Sequence, residues 1–149
     1  MSLDVLRIII AGALLLHGIA HAVALVATLA QALSAASASK LTIRTWLSPR
    51  LKPRSAAVLA IPFWGVSTIC FFAASAAFWG LISIAGWRQL AVAGAILSTL
   101  GMGLFPAIWP GSPDLSRSIL NASIALGFNI VILVTQLLLH WPPFGLFVG

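Results

Sequence analysis

The chain has 149 residues, 61% hydrophobic and 7% charged, with a formal net charge of +6 and a mean hydropathy of +1.12. A soluble domain carries about 25% charged residues, so a chain this apolar cannot cover a globule with polar surface and belongs in a lipid bilayer. Asp4 and Asp114 are its only acids and Cys70 its only cysteine, which excludes paired-carboxylate hydrolysis, carboxylate-rich metal sites and an internal disulfide; nucleic acid would need a soluble basic face, and there is none.

A bilayer core takes about 20 apolar residues of helix, and four segments meet that requirement: about 3–33, 55–85, 87–109 and 116–141. The fold class expected is therefore all-α, a single transmembrane domain built as an integral membrane antiparallel four-helix bundle. The first segment carries His17 and His21 within "LLLHGIAHAV". The "SAASAS" that follows resembles a leader cleavage region, but the apolar run far exceeds the roughly 7–15 residues of a signal core. It reads as a retained spanning helix.

The loop of about 34–54 holds Lys40, Arg44, Arg50, Lys52 and Arg54, with Leu41, Ile43, Trp46, Leu47 and Leu51 between them. Two readings stand: topological punctuation, or an interfacial segment whose basic residues bind anionic lipid. Pro49 and Pro53 interrupt helix here. In the second segment Pro62 is expected to kink or end the helix, and in the third Pro106 is expected to do the same. "IAGWRQ" makes a tight connection around Gly86. Pro110, Gly111 and Pro113 break the chain before the fourth segment, with Asp114 or Ser116 as the N-cap, and "HWPPFG" ends that segment. Trp46, Trp64, Trp79, Trp87, Trp109 and Trp141 fall near predicted helix ends and read as interfacial anchors. Gly18 with Ala22, Ala76 with Gly80, Thr99 with Gly103 and Ser123 with Gly127 are spaced for close helix approach.

Orientation follows from the basic residues. Five lie in the first loop and Arg117 in the third, six in all, against Arg7 and Arg88 on the other side. The side richer in Lys and Arg stays in the cytoplasm. Both termini are then expected outside.

At about 100° per residue, His17 and His21 lie about 40° apart, Thr28 falls between them and Gln31 at about −40°. On the fourth segment Gln136 and His140 lie about 20° either side of Asn129, and Asn121 at about −80°. Each helix thus has one polar stripe. An unpaired polar group facing lipid costs several kcal/mol, so the stripes should face each other, forming a polar cluster of His17, His21, Asn129 and Gln136 with imidazole–amide contact near the midplane. Its roles divide three ways: a structural clasp, a polar pathway for a proton or small solute, or ligation by His17 or His21 of haem, a chlorophyll-type pigment or a transition metal. With no intramembrane acid, hydrolytic zinc chemistry is excluded. Ser67, Ser75 and Ser98 have no acid partner for nucleophilic catalysis.

"LRIIIAGALLLHGIAHAV" resembles the DoxX-like group of small bacterial four-helix membrane proteins, with Arg7, Gly12, His17 and Gly18 at matching places. The His-Gly-x-x-His first helix and the His140–Pro143 tail also resemble uncharacterised bacterial membrane proteins of the same size. The long basic first loop departs from the DoxX-like pattern. The resemblance implies the bacterial inner membrane and an accessory role in a membrane redox system. Together these readings give a small non-catalytic accessory or scaffold subunit, with the lipid bilayer, other membrane subunits or a second copy as partners and no nucleic acid. No bound cofactor is expected unless one of the ligation readings holds.

Overall fold

A chain with so few polar side chains must satisfy its backbone amides internally, and a helix does so within one segment. The computed structural model describes residues 2–33, 45, 47–48, 50–83, 86–105, 109–110 and 112–142. Among these it is all-helical, with no strand. The helices are α1 Leu3–Leu33, α2 Pro53–Phe78, α3 Trp87–Leu104 and α4 Leu115–Leu133, the last continued by a π-helical turn over Val134–Leu138.

The boundaries have local causes. Pro53 opens α2 at a position where its missing N–H costs nothing. The helix runs through Pro62, which neither ends it nor begins a new one. Its C-terminus falls at Phe78, short of the expected residue 85, because Gly80 takes φ +74°. Gly80 N–H donates to the Ala77 carbonyl at 3.1 Å and Leu81 N–H to the Ala76 carbonyl at 3.0 Å. That is a Schellman stop, with glycine in the left-handed region. α3 ends at Leu104 rather than 109, and Phe105 leaves helical geometry, as the residue before a proline is biased to do. Asp114 caps α4, accepting from Arg117 N–H at 2.8 Å. At the far end the π-turn ends at Leu138, and His140 takes φ 48°.

Three stretches are long and apolar enough to cross a membrane: α1 with 31 residues, α2 with 26, and Leu115–Leu138 with 24. α3 does not join them. Its 18 residues rise about 27 Å against a core of about 30 Å, and it opens on Trp87, Arg88 and Gln89.

α2 lies against both α1 and α3, and α3 against α4. Arg7 Nε, near the start of α1, donates to the Phe78 carbonyl at the end of α2. Arg54 Nε, at the start of α2, donates to the Ala32 carbonyl at the end of α1 at 2.7 Å. The core forms two apolar clusters. One gathers Leu14, Phe71, Phe78, Trp87 and Ile132, the other Ala24, Ala60, Trp64, Phe105 and Trp109. Small residues allow this closeness, though mostly not at the expected pairs. A Cβ on Gly18 would stand 2.5 Å from Phe72 Cδ1, whereas Gly103 and Gly127 face open space. The tight glycines on α3 are instead Gly94, against Cys70 and Phe71, and Gly101, against Phe63.

Two further expectations change. Trp64, Trp87 and Trp109 are buried at 1%, 3% and 5% exposure, so they are core residues and not interfacial anchors. Trp79 and Trp141 are exposed. Of the basic loop, Lys40, Arg44 and Trp46 lie outside the described residues. Arg50 and Lys52 are exposed, and Arg54 is tied to the end of α1.

Candidate functional site

Between the two apolar clusters lies a polar layer built from α1, α3 and α4. His17 and His21 are one helical turn apart and buried, His21 completely. His17 Nε2 stands 3.0 Å from Asn129 Oδ1. Asn129 Nδ2 donates to Ser98 Oγ at 2.7 Å and approaches Thr99 Oγ1 at 3.3 Å. Ser98 Oγ in turn lies 3.1 Å from His21 Nε2. Finally, the two histidine Nε2 atoms are 3.3 Å apart.

The protons can be assigned around this circuit. Asn129 Oδ1 is an acceptor, so His17 carries a proton on Nε2. Ser98 Oγ accepts from the Asn129 amide, so its own proton is available to His21 Nε2. A bond of that direction would leave the His21 proton on Nδ1. That Nδ1 is buried with no hydrogen-bond partner among the described residues, as is the indole Nε1 of Trp64.

Aromatic rings enclose the pair. His17 stacks on Phe128 with centroids 4.3 Å apart and meets Phe71 edge-on at 4.5 Å. His21 stacks on Phe71 at 5.4 Å and on Trp64 at 5.6 Å, with Trp109 at 5.3 Å. An open cleft of 240 Å³ between α1 and α4 reaches the layer from the side and is lined by His17, Val23, Trp109, Asn121 and Ile124. A haem or pigment macrocycle needs a free approach to the ligating nitrogen. Here each Nε2 faces the other, with Asn129 or Ser98 beside it, so the geometry does not fit a macrocycle.

His17, His21 and Asn129 are thus brought together, and Gln136 is not among them. Gln136 is held at the end of α4, where Arg88 Nε donates to its Oε1 at 3.0 Å and Arg88 Nη2 to its carbonyl at 2.8 Å. Its Nε2 donates to the Trp141 carbonyl at 2.7 Å. Thr28 bonds the Ala24 carbonyl of its own helix at 2.7 Å. His140 is exposed, with Nδ1 3.3 Å from the Gln136 carbonyl. Asn121 donates to Ser112 Oγ at 3.1 Å.

Sequence reasoning missed Ser98, Thr99, Trp64 and Trp109. The first two were within reach: the angular projection applied to the first and fourth segments also gives the third a polar position at 98–99. The tryptophans carry no such signal, because position along a helix does not fix which way a ring faces.

Compared with protein-family models, curated proteins and solved structures, the chain matches none.

Proposed function

We propose that this chain is a multi-pass protein of a bacterial inner membrane, four antiparallel helices with both termini outside, serving as a small non-catalytic subunit or scaffold of a larger membrane assembly. The observation that carries this reading is the outward side of α4. Leu115, Ile119, Leu120, Ile124, Ile130 and Val131 are each at least half exposed, while the polar side chains of the layer turn inward. A soluble monomer rarely leaves a continuous aliphatic face of this size in water; lipid or a neighbouring helix covers it here. The three long apolar helices and the end-to-end arginine contacts between α1 and α2 support the same architecture. α3 crosses with them, flanked by α2 and α4. The DoxX-like resemblance at Arg7, Gly12, His17 and Gly18 adds a redox system as the setting.

The test is made in native membranes. With Ile124→Cys or Ile130→Cys in a Cys70→Ser background, oxidative cross-linking is expected to join the chain to a partner subunit or a second copy. Mild detergent should then release an assembly heavier than one chain. A free monomer that forms no adduct from either position overturns the proposal.

A further inference from the structure

Asp4 and Arg7 lie three residues apart on α1, a spacing at which an acid and a base on one helix pair directly. They do not pair. Arg7 is drawn across to α2, where its Nε donates to the Phe78 carbonyl, and its two terminal nitrogens have no hydrogen-bond partner among the described residues. The Asp4 carboxylate is exposed and has neither a hydrogen bond nor an ion pair among them. It is not engaged in capping α1 either, since Ser2 Oγ accepts from the Val5 N–H at 3.3 Å. Both side chains line one cleft of 220 Å³ at the end of α2, with Ile8, Ala11, Phe78 and Trp79. Gly80, held in the left-handed region, leaves the guanidinium uncovered on its side: a Cβ there would stand 3.4 Å from Arg7 Nη2.

A cleft with an unpaired anion and an unpaired cation on its walls selects a ligand that carries both charges. A phosphate alone would be repelled by Asp4, and an amine alone by Arg7. The volume is below the roughly 300–1,000 Å³ of sites for whole drug-sized molecules, and fits a headgroup. Trp79 and Ile8, 52% and 54% exposed, give the rim an indole and an aliphatic chain, as at the level of lipid headgroups. Below Ile8, the exposed Leu15, Ile19 and Val26 fall on the same side of α1 and extend an aliphatic track for acyl chains. A quaternary ammonium has no N–H for Asp4 and favours an aromatic cage; here Trp79 alone of the lining residues offers an exposed ring, since Phe78 is buried against Trp87. We propose that the cleft between Asp4, Arg7 and Trp79 binds the headgroup of a phosphoethanolamine lipid, its phosphate on the Arg7 guanidinium and its primary ammonium on the Asp4 carboxylate. The two free nitrogens of Arg7 suit a bidentate hold on the phosphate. This site rests on the membrane placement of α1 and α2 proposed above, but not on the accessory role.

The full chain, purified in mild detergent, is offered equal amounts of phosphatidylethanolamine and phosphatidylcholine with identical acyl chains, and bound lipid is counted by native mass spectrometry. Wild type should retain one phosphatidylethanolamine per chain, preferred about tenfold, as one charge-assisted hydrogen bond allows. Asp4→Asn, at an exposed position, should bring the two lipids within about twofold. Asp114→Asn, which removes the only other acid of the sequence, should keep the preference. Soluble glycerophosphoethanolamine should displace little of the bound lipid. Wild type without the preference, an Asp4→Asn chain that keeps it, or an Asp114→Asn chain that loses it each overturns the site. Displacement by the soluble headgroup as effective as by the lipid overturns the lipid assignment in favour of a soluble zwitterion. A chain that stays in solution without detergent overturns the membrane reading as well, whereas a lone monomer that keeps the preference overturns the accessory reading and leaves the site standing.

Discussion

Asn129 is the side chain on which the polar layer turns, since its amide touches His17, Ser98 and Thr99. Replacing it by leucine preserves bulk but removes the 3.0 Å acceptor of the His17 N–H, leaving it only the longer 3.3 Å approach to His21 Nε2. A buried donor stranded in this way costs about 1–3 kcal/mol, more than the average of about 0.6 kcal/mol for an interhelical polar pair in a membrane. Asn129→Leu should therefore lower the thermal unfolding midpoint in detergent, and Thr28→Val, whose hydroxyl serves only its own helix, should lower it less. Equal losses would mean that the layer does not couple the helices. Glycines allow a matching comparison. A methyl group on Gly18 would collide with Phe72, and overpacking of this kind costs about 1–3 kcal/mol. At Gly127 nothing stands within 4 Å, so alanine there gains helix propensity worth up to about 1 kcal/mol. Gly18→Ala should destabilise and Gly127→Ala should not; the reverse order would remove the close approach of α1 and α2 from the packing argument.

Each helix meets a neighbour end to end through an arginine. Arg7 serves the C-terminal carbonyls of α2, Arg54 those of α1, and Arg88 those at the end of α4. A cation at a helix C-terminus offsets the partial negative charge there, worth about 0.3–1 kcal/mol at the surface. This divides the residues of the basic loop by role. Arg54→Gln should weaken thermal stability slightly and leave lipid binding near that of wild type. The Arg50→Gln, Lys52→Gln pair should leave stability alone and reduce the anionic lipid retained in native mass spectrometry, since each such charge near a headgroup surface contributes about 1 kcal/mol. Identical behaviour of the two variants would contradict the division. What the sequence made legible follows the same physics. α1 begins at Leu3, and its uninterrupted apolar run keeps it helical through Leu33, the last described residue before the basic loop. The expected end of α2 at 85 takes Gly80 as a packing residue, whereas Gly80 followed by Leu81 is a recognisable helix stop and the helix closes at Phe78. The expected end of α3 at 109 sets Pro106 inside the helix, whereas the proline biases Phe105 out of helical geometry and α3 ends at Leu104. The meeting of His17 with Asn129 could be projected from helical angles alone. The aromatic box around His21 could not, because it depends on how α2 is rotated against α1.

At the scale of the molecule, the two ends of the helices differ in how their charge is used. Arg7 and Arg88, at one end, both have guanidinium nitrogens engaged by backbone carbonyls. At the other end Arg50 and Lys52 are exposed, and Arg117 is only loosely paired with Asp114, at 3.7 Å and with 71% of its side chain exposed. Arg54, at that same end, is tied to the Ala32 carbonyl as Arg7 and Arg88 are to theirs, so among the described residues the basic side chains left free, Arg50, Lys52 and Arg117, all belong to the first and third loops. The rule that Lys- and Arg-rich loops remain cytoplasmic then gives the orientation proposed above. It can be read by adding one cysteine at a time to a Cys70→Ser chain in intact cells. Gly149→Cys should react with a membrane-impermeant maleimide, and Ser39→Cys should react only after the cells are opened. Changing Arg50, Lys52 and Arg54 together to glutamine would leave three basic residues against two, and a bias that small should yield a mixed population in which both positions are partly labelled. Labelling of Ser39→Cys from outside in the otherwise unaltered chain would reverse the orientation and turn the basic loop away from the cytoplasm.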